Sequence, residues 1–167
     1  MSIVYVDLDG VLADFDSALN EIRGGEELST EELWVKVAPY GDGLYACLEL
    51  MPDASKLWNW ISVYFDNIQI LTAIPRRSTV PTAEADKRAW VATNFGTNIK
   101  VNIGPYARDK QKHCKPGDIL IDDKHSNIAE WVAKGGIGIL HTSASDTIKQ
   151  LTKLIKDGTV DPENYGD

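Results

Sequence analysis

Short apolar runs alternate along the chain with longer stretches of helical periodicity. Ile3 to Val6 is a β-rich run that ends in Asp7-Leu8-Asp9-Gly10. Further runs lie at Ile68 to Leu71, Lys100 to Ile103, Ile119 to Ile121 and Ile137 to Leu140, each closed by polar or turn residues. Within them Val, Ile and Leu are near-continuous rather than alternating, as in parallel strands covered on both faces. Asp53 is placed to cap a helix in which Leu57, Trp58, Ile61 and Phe65 recur at helical spacing. A second helix opens near Thr82, carries Ala89, Trp90 and Phe95, and stops at Gly96. A third covers Ser126 to Lys134, ahead of Gly135-Gly136. The last, Ser145 to Lys156, keeps Ile148, Leu151, Leu154 and Ile155 on one face. This alternation predicts an α/β fold: a three-layer sandwich around a parallel sheet, with right-handed crossovers.

One segment interrupts the rhythm. Between Asp14 and Met51 no convincing strand appears, only short helical pieces and the turn signals Gly24-Gly25 and Gly41-Asp42-Gly43. An insertion directly after the first strand would sit above the carboxyl ends of the strands, where open α/β sheets bind ligands. Residues 16–50 are therefore expected to form a small helical cap within a single domain spanning 1–167.

Composition narrows the class. A length of 167 residues suits one domain with one core, and no apolar run approaches the roughly 20 residues that span a bilayer. The start MSIVYVDLDG lacks a basic n-region, so export is not expected. Cys47 and Cys114 are too few for a disulfide scaffold, and a cytoplasmic location is the expectation. The net charge of −8 argues against long nucleic acid as a partner. A small anionic substrate stays open, because a cation in one cleft can reverse the local field.

The candidate chemistry lies at the strand ends. Asp7 and Asp9 are two apart and followed by Gly10, so on an extended strand both carboxylates face one cleft. Asp122-Asp123 end another strand. Like charges gathered this closely need a proton or a cation between them, and a hard, oxygen-seeking ion such as Mg²⁺ is the simplest resolution. Carboxylates beside such an ion suit phosphoryl transfer: one attacks phosphorus while a second protonates the leaving oxygen. Thr72 offers a hydroxyl to a phosphate oxygen, and a lysine from Arg108-Asp109-Lys110-Gln111-Lys112 offers positive charge.

These residues carry a resemblance. DLDGVLADF (Asp7 to Phe15), Leu71-Thr72-Ala73, Lys110 and Ile121-Asp122-Asp123 resemble, in order, the four motifs of the haloacid dehalogenase superfamily in its phosphatase form. The longer stretches DGVLADF, LTAIP, DKRAWVATNFG and PGDILIDD resemble the 5'(3')-deoxyribonucleotidase family, including its small bacterial and phage-type members. The resemblance implies a Rossmann-like sheet and a Mg²⁺-dependent phosphomonoesterase that takes (deoxy)ribonucleoside monophosphates to nucleoside and phosphate. It makes Asp7 the nucleophile that forms an aspartyl-phosphate, and Asp9 the general acid/base, also on the metal through its backbone carbonyl. Thr72 and Lys110 would hold the phosphoryl group. Asp123 joins Asp7 and Asp9 on the metal, with Asp122 in support, orienting the lysine. Phe15 matches a position against the nucleobase, and Trp34 and Tyr45 in the cap are candidates to stack on the base or to pack the cap core.

The match departs from the family in places. Ala73, at a substrate-contacting position, stands where the animal enzymes have serine. Lys110 keeps the local RDK context while Lys112 keeps the spacing to Asp122; Lys110 is favoured because a loop absorbs an insertion more readily than a motif shifts. His113, His125 and His141 are not spaced as a metal cluster and read as surface or loop residues. Trp58, Trp60, Trp90 and Trp131 read as packing, and Cys114 lies between basic residues that could lower its pKa. The rival substrates are a sugar phosphate or a nucleic-acid 3'-phosphate end. A receiver-like signalling domain also sets aspartates, a Thr and a Lys on a parallel sheet, but in another strand order.

Overall fold

In the computed structural model, which describes residues 2–163, the five apolar runs form one parallel sheet. The strands are β1 (Val4–Val6), β2 (Ile68–Thr72), β3 (Val101–Ile103), β4 (Ile119–Asp122) and β5 (Ile137–Leu140). Their order is β3-β2-β1-β4-β5, with Val4 level with both Ile68 and Ile119. β1 is the innermost strand, and the order reverses direction between β1 and β4. Such a switch point opens a crevice at the carboxyl ends of the strands. The order is not the 2-1-3-4-5 of receiver-type sheets, which removes that rival.

The helices are α1 (Phe15–Arg23), α2 (Thr30–Val37), α3 (Ala54–Tyr64), α4 (Ala83–Phe95), α5 (His125–Ala133) and α6 (Ala144–Lys156). Side chains along each strand alternate between two cores. Val4, Val6, Ile70, Ile119 and Ile121 pack in one cluster with Leu57 and Ile61 of α3, Trp90 and Val91 of α4, and Leu151 and Ile155 of α6. Tyr5, Leu71 and Leu120 point the other way, onto Trp131 of α5. The Trp131 indole meets the Tyr5 ring edge-on at 5.3 Å and donates to the Asp118 carbonyl at 3.0 Å. Both sheet faces are thus covered, which is why the strands read as continuous rather than alternating apolar runs.

The segment between β1 and α3 holds α1, α2 and 3-10 turns at Ala38–Tyr40 and Tyr45–Cys47. Asp14 caps α1 by accepting the Ser17 N–H at 3.2 Å. Ser29 and Glu32 close a capping box on α2. The end of the segment is bracketed by α4: Asp86 accepts the Gly43 N–H at 3.1 Å, and the Trp90 indole donates to the Leu48 carbonyl at 2.7 Å.

Some expectations change. Asp53 precedes α3, but its side chain does not cap that helix; it accepts the Ala144 N–H at 2.7 Å, at the first residue of α6. His141 is not a surface residue: it is 4% exposed, with Nδ1 2.7 Å from the Thr147 hydroxyl. Burial raises the Cys114 thiol, and Asp118 adds to the effect, the opposite of the lowering its basic sequence neighbours suggest. Among the described residues no helix is long and apolar enough to cross a membrane.

Candidate active site

The crevice at the switch point is a cavity of about 420 Å³ lined by Asp7, Asp9, Phe15, Ala73, Lys110 and Asp123, among others. Asp7 extends β1 by one more ladder bond, its N–H donating to the Ile121 carbonyl at 3.0 Å. Asp9 is not on the strand. The chain turns immediately after Asp7, with the Leu12 and Ala13 N–H groups both donating to the Leu8 carbonyl at 2.9 Å. The shared cleft of the two aspartates therefore comes from this tight turn rather than from strand alternation. Gly10 within the turn has a positive φ of 81°, and a Cβ there would overlap the Asp123 carboxylate. Glycine lets β1 and β4 deliver their acids to one place.

Lys110 lies in a 3-10 helix, Ala107–His113, and is buried between the two strands. Its ammonium is 2.8 Å from Asp7 Oδ1 and 2.7 Å from Asp122 Oδ2. Lys112, two residues on, points away, with a side chain 74% exposed and paired to Asp109 at 2.7 Å. Asp122 is fully buried and accepts three donors: the Lys110 ammonium, the Asn127 amide at 3.0 Å and the Lys124 N–H at 2.8 Å. Asp123 sits at the rim against Gly10. Thr72 ends β2, fully buried.

The electrostatics are those of carboxylates crowded out of water. Burial raises Asp7 to about 7, with Lys110 opposing and Asp122 and Asp9 adding to the rise. Burial and then the Asp122 charge raise Asp123 to about 6. For Lys110 burial acts to lower the pKa, but Asp7 and Asp122 overcome it and the ammonium is held above its usual range. Asp7, Asp122 and Asp123 each bring a carboxylate oxygen within 4.8 Å of the others. With both Asp122 oxygens engaged by N–H donors, Asp7 and Asp123 are the freer ligands. An all-oxygen, multiply anionic donor set fits a hard divalent cation. One further atom has no partner: Asp9 Oδ1 is buried and makes no hydrogen bond, while Oδ2 is taken by Lys87 at 2.8 Å.

Of the aromatic candidates, Phe15 lines the cavity. Tyr45 is 2% exposed, with Phe15 stacked on it at 5.2 Å and the Lys87 ammonium 4.5 Å from its ring centroid. Tyr45 is therefore packed beneath Phe15 and presents no free face to a ligand. Trp34 stands 6.3 Å from Phe15, partly buried.

Two participants are not apparent from sequence patterns alone: Lys87 on α4 and Asn127 on α5. Each nonetheless carries a signal. Lys87 shares the helical stripe Ala83, Lys87, Trp90, Val91, all of it buried. Asn127 precedes Trp131 by one turn on the buried face of α5. A polar residue inside an apolar stripe marks a group that needs partners from elsewhere.

Residues 28–152 match the family described as 5' nucleotidase, deoxy (pyrimidine), cytosolic type C protein. The chain belongs to this family. The matched stretch includes Thr72, Lys87, Lys110, Asp122 and Asp123, while Asp7, Asp9 and Phe15 precede it. A relative in Vibrio phage KVP40, provisionally named a 5'(3')-deoxyribonucleotidase, is 30% identical over 128 residues, 75% of this chain and 68% of its own length. Solved structures share the fold. A hydrolase from Pseudomonas syringae superposes with a TM-score of 0.53 at 12% identity, over 92% of this chain and 99% of its own. A haloacid dehalogenase family hydrolase from Deinococcus radiodurans, solved with bound phosphate and sodium, superposes with a TM-score of 0.54 at 10% identity, over 97% and 98%. This member of the nucleotidase family is accordingly a phosphoric monoester hydrolase, 5'(3')-deoxyribonucleotidase-like, and shares its fold with a haloacid dehalogenase family hydrolase.

Proposed function

We propose that the chain is a Mg²⁺-dependent, cytoplasmic phosphomonoesterase that hydrolyses (deoxy)ribonucleoside monophosphates to nucleoside and phosphate. The observation that supports this reading most directly is the paired arrangement of Asp7 and Asp9. Asp7 is buried at the switch point with a lysine on one oxygen, while Asp9 Oδ1 is held beside it with no partner in the protein. The first is the environment of a nucleophile aimed at an electrophilic phosphorus. The second is an oxygen placed to carry the proton that the leaving oxygen takes up.

In this mechanism an Asp7 carboxylate oxygen attacks phosphorus and the bond from phosphorus to the ester oxygen breaks. Asp9 gives its proton to that oxygen, releasing nucleoside and leaving an aspartyl-phosphate on Asp7. Asp9 then removes a proton from water, whose oxygen attacks the phosphorus; the bond from phosphorus to the Asp7 oxygen breaks, freeing phosphate and restoring the Asp7 carboxylate. Lys110 neutralises the phosphoryl oxygens, and Asp122 keeps its ammonium in place. Ala73 lines the cavity and supplies no second hydroxyl there, and Thr72, fully buried at the end of β2, directly precedes it. Asp7 and Asp123, with the Asp9 backbone carbonyl, would hold Mg²⁺, which lowers the charge repulsion between phosphate and carboxylates when bound. Residues 16–50 act as the cap, bringing Phe15 and Trp34 to the side where a nucleobase would lie.

Phosphate release over a panel of nucleoside monophosphates, sugar phosphates and oligonucleotides with a 3'-phosphate end, with Mg²⁺ and with chelator, tests the reading. Turnover of nucleotides, abolished by chelation, is the expected result. Turnover of sugar phosphates alone, or of nucleic-acid 3'-phosphate ends alone, would overturn the substrate class.

A further inference from the structure

Lys87 is the one charged residue in the buried stripe of α4, and at 2% exposure its ammonium is cut off from water. A charge so placed is strongly destabilising unless each of its protons finds an acceptor. Three do. Lys87 Nζ donates to Asp9 Oδ2 at 2.8 Å, to the Thr72 hydroxyl at 3.0 Å and to the Ala73 carbonyl at 2.7 Å. The Tyr45 ring, 4.5 Å away, covers the cation.

This arrangement has consequences for the two groups it joins. Asp9 is on the turn after β1, and Oδ2 is fixed by the ammonium, so the carboxylate cannot rotate freely and Oδ1 is the oxygen left unpaired. Thr72 accepts from Lys87, so its own proton is free to be donated elsewhere. Its intramolecular acceptor, the Ala73 carbonyl, is 3.4 Å away and already bound more closely by Lys87. One ammonium thus orders the acid/base carboxylate and the phosphate-side hydroxyl together. The same helix also holds the backbone on either side of Tyr45, through Asp86 to Gly43 and Trp90 to Leu48.

We propose that Lys87 is a positioning residue for proton transfer, locking Asp9 so that Oδ1 faces the leaving-group oxygen and orienting the Thr72 hydroxyl as a donor. It moves no proton itself: the proton passes from Asp9 Oδ1 to the ester oxygen as the bond to phosphorus breaks. The proposal rests on the acid/base role given to Asp9 above, and it holds for any phosphate monoester.

The test compares two base-free esters, phenyl phosphate and 4-nitrophenyl phosphate, on the Mg²⁺-loaded full chain. Protonation of the leaving oxygen matters greatly for the first and little for the second. In Lys87→Met, kcat/KM on phenyl phosphate, which reports the steps up to loss of the leaving group, should fall by about a hundredfold, and kcat/KM on 4-nitrophenyl phosphate by less than about fivefold. A purely structural role predicts equal losses on the two esters, and that outcome overturns the proposal. In an Asp9→Asn background the same substitution should leave the ratio of the two rates within about twofold, because the group through which Lys87 acts is gone. A further skew in that background overturns it too. Should Lys87→Met fail to melt cooperatively, Lys87→Arg carries the comparison by the same criterion: a skew towards the activated ester supports the proposal and parallel losses overturn it. Because neither ester has a nucleobase, a chain that cleaves both and no nucleotide refutes the substrate class and leaves the role of Lys87 to be decided by the ratio of the two rates.

Discussion

Asp7 and Phe15 show how differently two cavity-lining residues bear on the same chemistry. Asp7→Asn is nearly isosteric but has no carboxylate to attack phosphorus, so phosphate release should drop by at least about a thousandfold. Lys110 keeps its second partner, Asp122, at 2.7 Å, so the variant should still melt cooperatively. Retention of a tenth of the activity in a phosphate-release assay would rule Asp7 out as nucleophile. Phe15 is both cavity wall and the cover of Tyr45, stacked at 5.2 Å. Phe15→Ala should lower kcat/KM for a deoxynucleotide by about tenfold or more, on the scale of one lost base stack. It should also lower the melting temperature slightly, since the aromatic pair contributes about 0.5–1.5 kcal/mol. A base-free ester should be cleaved nearly as before. Equal losses on nucleotide and base-free ester would assign Phe15 to packing alone.

Among the elements, α3 and α6 are joined by an unexpected cap. The Asp53 carboxylate serves the amino end of α6 rather than that of α3, alongside Ser143, which accepts the Asp146 N–H at 3.1 Å. Asp53→Ala should therefore destabilise the chain by about 1 kcal/mol in urea unfolding. Its effect should largely vanish when α6 is already uncapped by Ser143→Ala only if the two caps act as a unit; additive losses would show independent caps. Most elements were legible in advance, because strand and helix periods are local properties of the chain. The ends were less so. β2 and β4 run one residue further than their apolar runs, taking in Thr72 and Asp122, because ladder bonding continues where hydrophobicity stops.

At the scale of the molecule, the crowded carboxylates link stability to pH and to cation. Asp7 and Asp123 stand at about 7 and about 6 in the folded chain, above the ordinary 3.8. Between those values the metal-free folded state binds more protons than the unfolded one. Their contribution to stability is therefore fully present below about pH 4 and is lost as pH rises to about 7. A cation on the same oxygens replaces the protons and reverses this loss. At pH 8, Mg²⁺ at about a hundred times its Kd should add about 2.7 kcal/mol, or about 5–10 °C in Tm for a domain of this size. At pH 5 protons compete, and the gain should fall by more than half. Equal Tm gains at both pH values would mean that these carboxylates do not hold the ion.

The sequence by itself determined what depends on near neighbours: five buried strands, their helices, an irregular segment after the first strand, and acids at two strand ends. Each is written in a period of two to four residues or in adjacent positions. Tertiary structure decided what depends on convergence. Lys87 meets Asp9 across 78 positions of chain, and Lys110 meets Asp122 where Lys112 turns to solvent. Tyr45 is covered by Phe15, and His141 is drawn into the interior. The physical reason is common to all of them. A buried charge or ring is stable only when its partners arrive from several segments at once, and no local pattern records which segments those are.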